Sequence, residues 1–251
     1  MLDALECPYC HTKIFFQKRF NFCHYSLPSF GNRQFISFLS QMGQHVKTVE
    51  AYRLYSIFYA PIALFVYTII WRGNIFTQIR FFRRSLEKNK SIVDLATGDG
   101  SLTRAALFSN RKLAPDALVA IDLSEEMLKR AIKKLPAYTV MIKGDVLALP
   151  FASASLPMVT CFGGFNSFQS AATALCEIRR VLNPNGLLRG SVLLLPTAKW
   201  KQRKISAWIQ KGYQTQTVSL EEFESWLFKA DLVLTEKKRV GDVLLFEAAR
   251  N

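Results

Sequence analysis

The chain is 251 residues long, half of them apolar and 21% charged, which excludes a disordered polymer and allows one α/β domain with a smaller N-terminal region. Its 33 basic and 19 acidic side chains leave a net charge of +14, an excess that attracts anionic membranes, nucleic acid or acidic substrates and carries no information about fold. The excess is densest in the first 90 residues, which hold 12 basic and 4 acidic side chains.

The first 30 residues contain three of the five cysteines. Met1–Cys10 lacks the basic start and apolar stretch of a cleavable signal, and the cysteine number is odd, so the expectation is a reducing cytosol without a disulfide framework. Cys7-Pro-Tyr-Cys10 has the spacing of one zinc knuckle. A second Cys-x2-Cys is missing, because Ser26 stands where the partner of Cys23 belongs. Cys7, Cys10, Cys23 and His24 would meet the usual four-ligand count of zinc, although neighbouring residues make an awkward pair of ligands. Without metal, residues 1–30 are a degenerate ribbon.

Residues 31–90 read as aromatic-rich helices, a lid or substrate region. Leu54–Ile70 is 17 residues without a charge, at the lower limit for a membrane span, and Pro61 interrupts it. A buried or lid helix is the leading reading. Interfacial membrane contact, helped by Arg80, Arg83 and Arg84, is the second, which makes the expected location cytoplasmic with a peripheral place at the inner membrane face as the alternative.

From Ser91 the pattern alternates between strands and helices. Strands are expected at Ser91–Leu95, Ala117–Ile121, Tyr138–Ile142, Leu156–Phe162, Leu187–Leu195, Leu232–Glu236 and Val243–Ala248. Helices are expected at Leu102–Phe108, Glu125–Leu135, Ala171–Leu182, Trp200–Gln210 and Leu220–Lys229. Ser124 is positioned to cap the second of these, and Asn183-Pro-Asn-Gly186 reads as a turn. Such alternation predicts a parallel doubly wound sheet over 91–251. The short Gly241-Asp242 link makes the last two strands antiparallel.

Three segments carry candidate ligand chemistry. Val93-Asp-Leu-Ala-Thr-Gly-Asp-Gly100 follows the first strand and opens a helix, where glycines let the backbone approach a ligand. Asp122 ends the second strand, 22 residues after Gly100, where a carboxylate can accept both hydroxyls of a ribose. Asp145, after the third strand, can accept from the exocyclic amine of adenine.

These segments resemble the class I S-adenosylmethionine (SAM)-dependent methyltransferases, nearest the ubiquinone/menaquinone methyltransferase-like branch. The resemblance covers about residues 91–195 and implies a Rossmann-like seven-stranded sheet with an antiparallel last strand, with SAM as cofactor. Asp94, Gly98 and Gly100 match the family's first motif, and Ala96 replaces its first glycine. The implied cofactor residues are Asp94, Ala96, Thr97, Gly98 and Gly100 around the methionine part. Asp122, Leu123 and Met127 are implied for the ribose side, Asp145 and Val146 for the adenine side, and Cys161 for the end of strand four. The family often has an acidic residue before strand four, where Ser155-Leu-Pro157 stands here. Cys161-Phe-Gly-Gly164 also lacks the Asn/Asp-Pro-Pro-aromatic pattern of amine-methylating relatives.

No His follows His45, so a general base would come from a carboxylate or from His45, Tyr52, Tyr55 or Tyr59, and no catalytic residue is assigned. The leading expectation is methyl transfer to a small-molecule or lipid-like acceptor. A ribosomal or transfer RNA methyltransferase is the second, since some ribosomal RNA guanine methyltransferases carry an N-terminal Cys/His ribbon that this start loosely resembles. A catalytically silent SAM-binding protein is the third.

Overall fold

The computed structural model describes residues 6, 29–30, 33–34, 36–37, 59–88, 91–108, 115, 117–210 and 217–251. The proposed zinc ligands Cys7, Cys10, Cys23 and His24 lie outside the described residues, as do His45, Tyr52 and Tyr55. Three two-residue strands come first: β1 (Ser29–Phe30), β2 (Arg33–Gln34) and β3 (Ile36–Ser37). Helix α1 (Tyr59–Phe65) runs into a π-helical turn (Val66–Ile70), and α2 (Ile75–Lys88) follows. Then come β4 (Ser91–Leu95), α3 (Ser101–Phe108), β5 (Ala117–Asp122), α4 (Glu125–Lys134), β6 (Val140–Lys143), β7 (Leu156–Phe162), α5 (Ala171–Val181) and β8 (Leu182–Leu193). Helices α6 (Lys199–Gln210) and α7 (Leu220–Lys229) and strands β9 (Leu232–Val240) and β10 (Val243–Arg250) complete the chain.

Among the described residues the main sheet has eight strands in the order β3-β6-β5-β4-β7-β8-β10-β9. That is one more than the seven expected. The addition is β3, which pairs parallel with β6 through Ile36 and Ser37 at the sheet edge. Two residues give no periodicity, so no alternation marks this strand in the sequence. Strand β10 lies between β8 and β9 and is antiparallel to both, as the short link to β9 demands.

Successive residues of a strand point to opposite faces, and each strand here feeds two cores. Val93, Leu95, Val119, Ile121, Val159 and Leu188 pack under α5 and α7 on one face. Ile92, Leu118, Ala120, Met141 and Met158 pack under α2, α3 and α4 on the other. On the same side a third cluster joins Trp71, Phe81 and Ile205 to Val243 and Leu245. Burial on both faces explains why these strands are apolar runs instead of polar-apolar alternations.

The Asn183–Gly186 turn is an excursion inside one long strand. Leu156 pairs with Leu182 and Met158 with Leu187, so residues 183–186 loop out between two paired stretches of β8. Asn183 Oδ1 accepts from the Asn185 amide at 3.1 Å, closing the loop locally. A Cβ on Gly186 would stand 2.7 Å from the Leu156 carbonyl oxygen, so only glycine fits.

Candidate cofactor and active site

Strand β4 is where the chain reverses its winding, with β5 paired on one side and β7 on the other. In doubly wound sheets the crevice beyond the carboxyl ends of the strands at such a point is the ligand site. A cleft open to solvent occupies this position. It is bounded by the ends of β4, β5 and β7, by the loop after β6, and by residues 163–169.

The glycine loop is built on two carboxylates with different duties. Asp94 is 3% exposed and points inward. Its Oδ2 accepts from Thr97 at 2.7 Å and Thr103 at 2.6 Å, and its Oδ1 accepts from Thr160 at 2.8 Å. One side chain thereby ties the loop to α3 and β7. Burial raises its pKa, and the three hydroxyl donors pull it back.

Asp122 sits at the mouth and closes the loop from the other side. Its Oδ2 accepts from the Gly98 amide and its Oδ1 from the Ser124 amide, both at 2.8 Å. Each oxygen keeps a further lone pair for a ligand hydroxyl. Burial, reinforced by the negative Asp94, pushes its pKa up to about 6.

The backbone around them explains the small residues. Gly98 (φ +59°) and Gly163 (φ +86°) have left-handed backbones, and a Cβ on either would meet nothing within 4 Å, so both present bare backbone to open space. Gly100 differs: a Cβ there would press on Leu135 and Ala131 of the α4 segment, so this glycine serves helix packing. Ala96 has φ +51°, a conformation that costs an L-residue about 1 kcal/mol or more and that glycine adopts freely. A Cβ on Gly164 would stand 2.7 Å from Phe168, 2.8 Å from Ala96 and 2.9 Å from Cys161, which fixes glycine there.

The wall opposite the carboxylates is Phe162-Gly163-Gly164 with Ser167, Phe168 and Gln169. Asn166 pins this loop to β8, donating to the Leu193 carbonyl at 2.9 Å and accepting from the Leu193 amide at 2.8 Å. Phe162 stacks on Phe82 of α2 with centroids 4.7 Å apart.

Of the residues singled out in the sequence, Ala96, Gly98, Asp122, Leu123, Met127, Asp145 and Val146 line the cleft. Asp145 is buried and accepts from the Leu147 amide at 2.9 Å. Asp94, Thr97, Gly100 and Cys161 are not among the lining residues. Asp94 and Thr97 bond to each other, Gly100 packs on α4, and Cys161 is fully buried in the core. Burial and the two nearby aspartates raise the pKa of the Cys161 thiol, which keeps it protonated. The lining residues to which the sequence assigned no cofactor role are Leu95, Ile121 and Leu147, Ser124 and Gly144 beside the carboxylates, and the wall of Phe162, Gly163, Gly164, Ser167, Phe168 and Gln169, where Cys161-Phe-Gly-Gly164 was read only for the amine-methylating pattern it lacks. The paired glycines 163–164 after a strand were the available signal for that wall.

The donor set fits SAM on the observations above: two acid groups spaced along one cleft, and bare glycine backbone with open space between them. Among the described residues no cluster of His, Cys, Asp and Glu could hold a metal ion.

Comparison with known proteins follows the same lines. A family profile described as a methyltransferase domain matches residues 93–189. Demethylmenaquinone methyltransferase of Thermus thermophilus is 37% identical over 119 residues, covering 44% of this chain and 53% of that protein. An uncharacterised chloroplastic methyltransferase of Arabidopsis thaliana is 25% identical over 213 residues, covering 72% of this chain and 59% of its own length. The chain thus spans about half the length of the curated relatives it matches. The YcgJ protein of Bacillus subtilis superposes with a TM-score of 0.58 at 15% identity, over 70% of this chain and 98% of that one, which is a likeness of fold. Residues 93–189, built on this sheet and this cleft, thus form a methyltransferase domain of the class I SAM-dependent type.

Proposed function

We propose that the chain transfers a methyl group from SAM to a small, largely apolar acceptor of aromatic, quinol-like character. The observation that carries the reading is the division of the cleft, with two carboxylates at one end and an uncharged wall of glycine and phenylalanine at the other. Asp122 would accept the ribose hydroxyls, Asp145 the adenine amine, and the backbone at Ala96 and Gly98 would receive the methionine part. Bound there, SAM supplies a methyl group on a sulfonium, a strong electrophile.

The residues of the chain then do the positioning. Asp122 fixes the loop and the ribose together, and the Asn166 clamp holds the opposite wall. Phe162 and Phe168 offer flat apolar surface to an acceptor ring, and an aligned approach supplies much of the rate in such transfers. Among the described lining residues only Asp122 and Asp145 carry an acidic or basic side chain, and both are assigned to the cofactor. The acceptor atom is therefore one that needs no strong base, such as a carbon or oxygen of an electron-rich ring that ionises in solution. The name of the Thermus relative, a demethylmenaquinone methyltransferase, supports a ring acceptor of this type.

The test is methyl-labelled SAM incubated with the protein and a cell extract, followed by separation of organic, nucleic-acid, protein and aqueous fractions. Label in the organic or small-molecule fraction, lost with Asp122→Ala, is the expected result. Label in RNA would overturn the acceptor class.

A further inference from the structure

We propose that the surface formed by the α1–π turn, the start of α2 and the outer face of α6 is a docking site for an anionic lipid surface. The inference rests on exposed side chains, and it stands whether or not the methyl acceptor is a lipid.

Large apolar side chains are exposed here in unusual density. Leu64, Phe65 and Ile69 on the α1–π turn are 46%, 60% and 58% exposed, Phe76 at the start of α2 is 76% exposed, and Trp200 on α6 is 53% exposed. The elements that carry them lie side by side, because their inward faces share one core: Val66, Tyr67 and Ile70 pack with Trp71, Ile205 and Ile209. The link is tightened by the β9–β10 turn. The Asp242 amide donates to the Trp71 carbonyl at 2.9 Å, and Lys201 of α6 pairs with the Asp242 carboxylate at 2.6 Å.

Charge makes the choice of partner. Residues 59–86 and 195–210 contain eight Lys and Arg and no Asp or Glu. Arg72 and Arg80 are exposed beside Phe76, with Arg80 one helical turn after it on the same side of α2. Lys199, Arg203 and Lys204 are exposed around Trp200, whose ring lies 5.5 Å from the Lys204 ammonium. Apolar and aromatic tips inside a rim of Arg72, Arg80, Lys199, Arg203 and Lys204, for which no ion pair is seen among the described residues, complement acidic headgroups over hydrocarbon. A second copy of the chain would bring the same cations face to face, which disfavours it. Among the described residues no helix is long and apolar enough to cross a membrane.

The surface also connects to the cleft. Phe81 and Phe82, one turn further along α2 than Phe76, contact Phe162 on the cleft wall. A docked lipid surface would lie beside the uncharged end of the cleft, away from Asp122 and Asp145.

Co-sedimentation of the whole chain with phosphatidylglycerol/phosphatidylcholine vesicles, with pure phosphatidylcholine as the comparison, tests this. Binding to the anionic vesicles alone, weakened by salt, is expected. Arg80→Gln, Arg203→Gln and Lys204→Gln should each cost about fivefold in partitioning, the equivalent of about 1 kcal/mol per cation at the surface. The triple change Phe65→Ser, Ile69→Ser, Phe76→Ser should abolish binding, while thermal unfolding and SAM binding stay as in the original chain. A chain that remains in the supernatant at low salt, or variants that sediment as well as the original, would overturn the proposal. So would a dimer in solution that the triple change splits, or RNA binding lost in the charge variants with vesicle binding intact. Because SAM binding is read separately, failure here is distinct from failure of the methyltransferase reading.

Discussion

Asp94 and Asp122 are acids at the ends of neighbouring strands, the first buried and the second half-buried, and they do different things because of what faces them. Three threonine hydroxyls converge on Asp94, so its bonding capacity is spent inside the fold. Asp122 is held by two amides and still lines the cleft. Its pKa of about 6 sets two opposite pH responses. A carboxyl whose folded pKa lies above its unfolded value stabilises the fold when protonated, so this contribution to the free protein is lost as pH rises through about 6. Ribose hydroxyls donate to the ionised form, so SAM affinity should rise over the same interval. Isothermal titration between pH 5 and 8 should show binding strengthening upward through pH 6, and a flat profile would remove Asp122 from the site. At this scale the sequence located both acids by spacing but could not separate them, since the hydroxyls of Thr103 and Thr160 reach Asp94 only through the fold. Cys161 shows the same limit: its strand position is readable, but which face it points to depends on register.

The elements of residues 91–251 were legible because each has a strong period and a chemical end. Ser124, Ser170 and Ser219 cap α4, α5 and α7, each accepting from the amide three residues on. Ser219 with Glu222 has the spacing of a capping box, and it stands away from the cleft. Ser219→Ala should lower stability by about 1 kcal/mol and leave SAM affinity unchanged, as read by chemical denaturation and titration. Equal loss of both would mean that α7 supports the cleft directly. What stayed hidden were features without local period. Strand β3 is two residues long, and β8 continues through a turn that the sequence places between elements. The π-helical turn at Val66–Ile70 is likewise invisible in a uniformly apolar run.

For the whole molecule, two-faced burial of the sheet explains the 50% apolar content, and most of the strand residues serve it. A buried ion pair also lies on the α2 side. Arg189 is fully buried, donates through Nε to Glu247 at 2.6 Å across the β8–β10 pair, and lies 5.3 Å from the centre of the Phe81 ring. Thr235 donates to the other Glu247 oxygen at 3.1 Å, so the pair is tied into β9 as well. Buried ion pairs of this type add little net stability, because the cost of desolvating both charges offsets their attraction. The basic surface on the same side was legible in part: the apolar run ending at Ile70 and the nearby Arg80 suggested an interfacial contact, whereas Trp200, Arg203 and Lys204 join it from a segment more than a hundred residues away.

In the proposed function, the cleft at the ends of β4 to β7 receives SAM on Asp122. Isothermal titration of SAM into the original chain and into Asp122→Ala, with thermal unfolding of both to verify folding, tests it most directly. Saturable binding at one site per chain, weakened at least about tenfold in the folded variant by loss of charge-assisted hydrogen bonds, is the predicted result. No binding by the original chain, or equal binding by the variant, would contradict it.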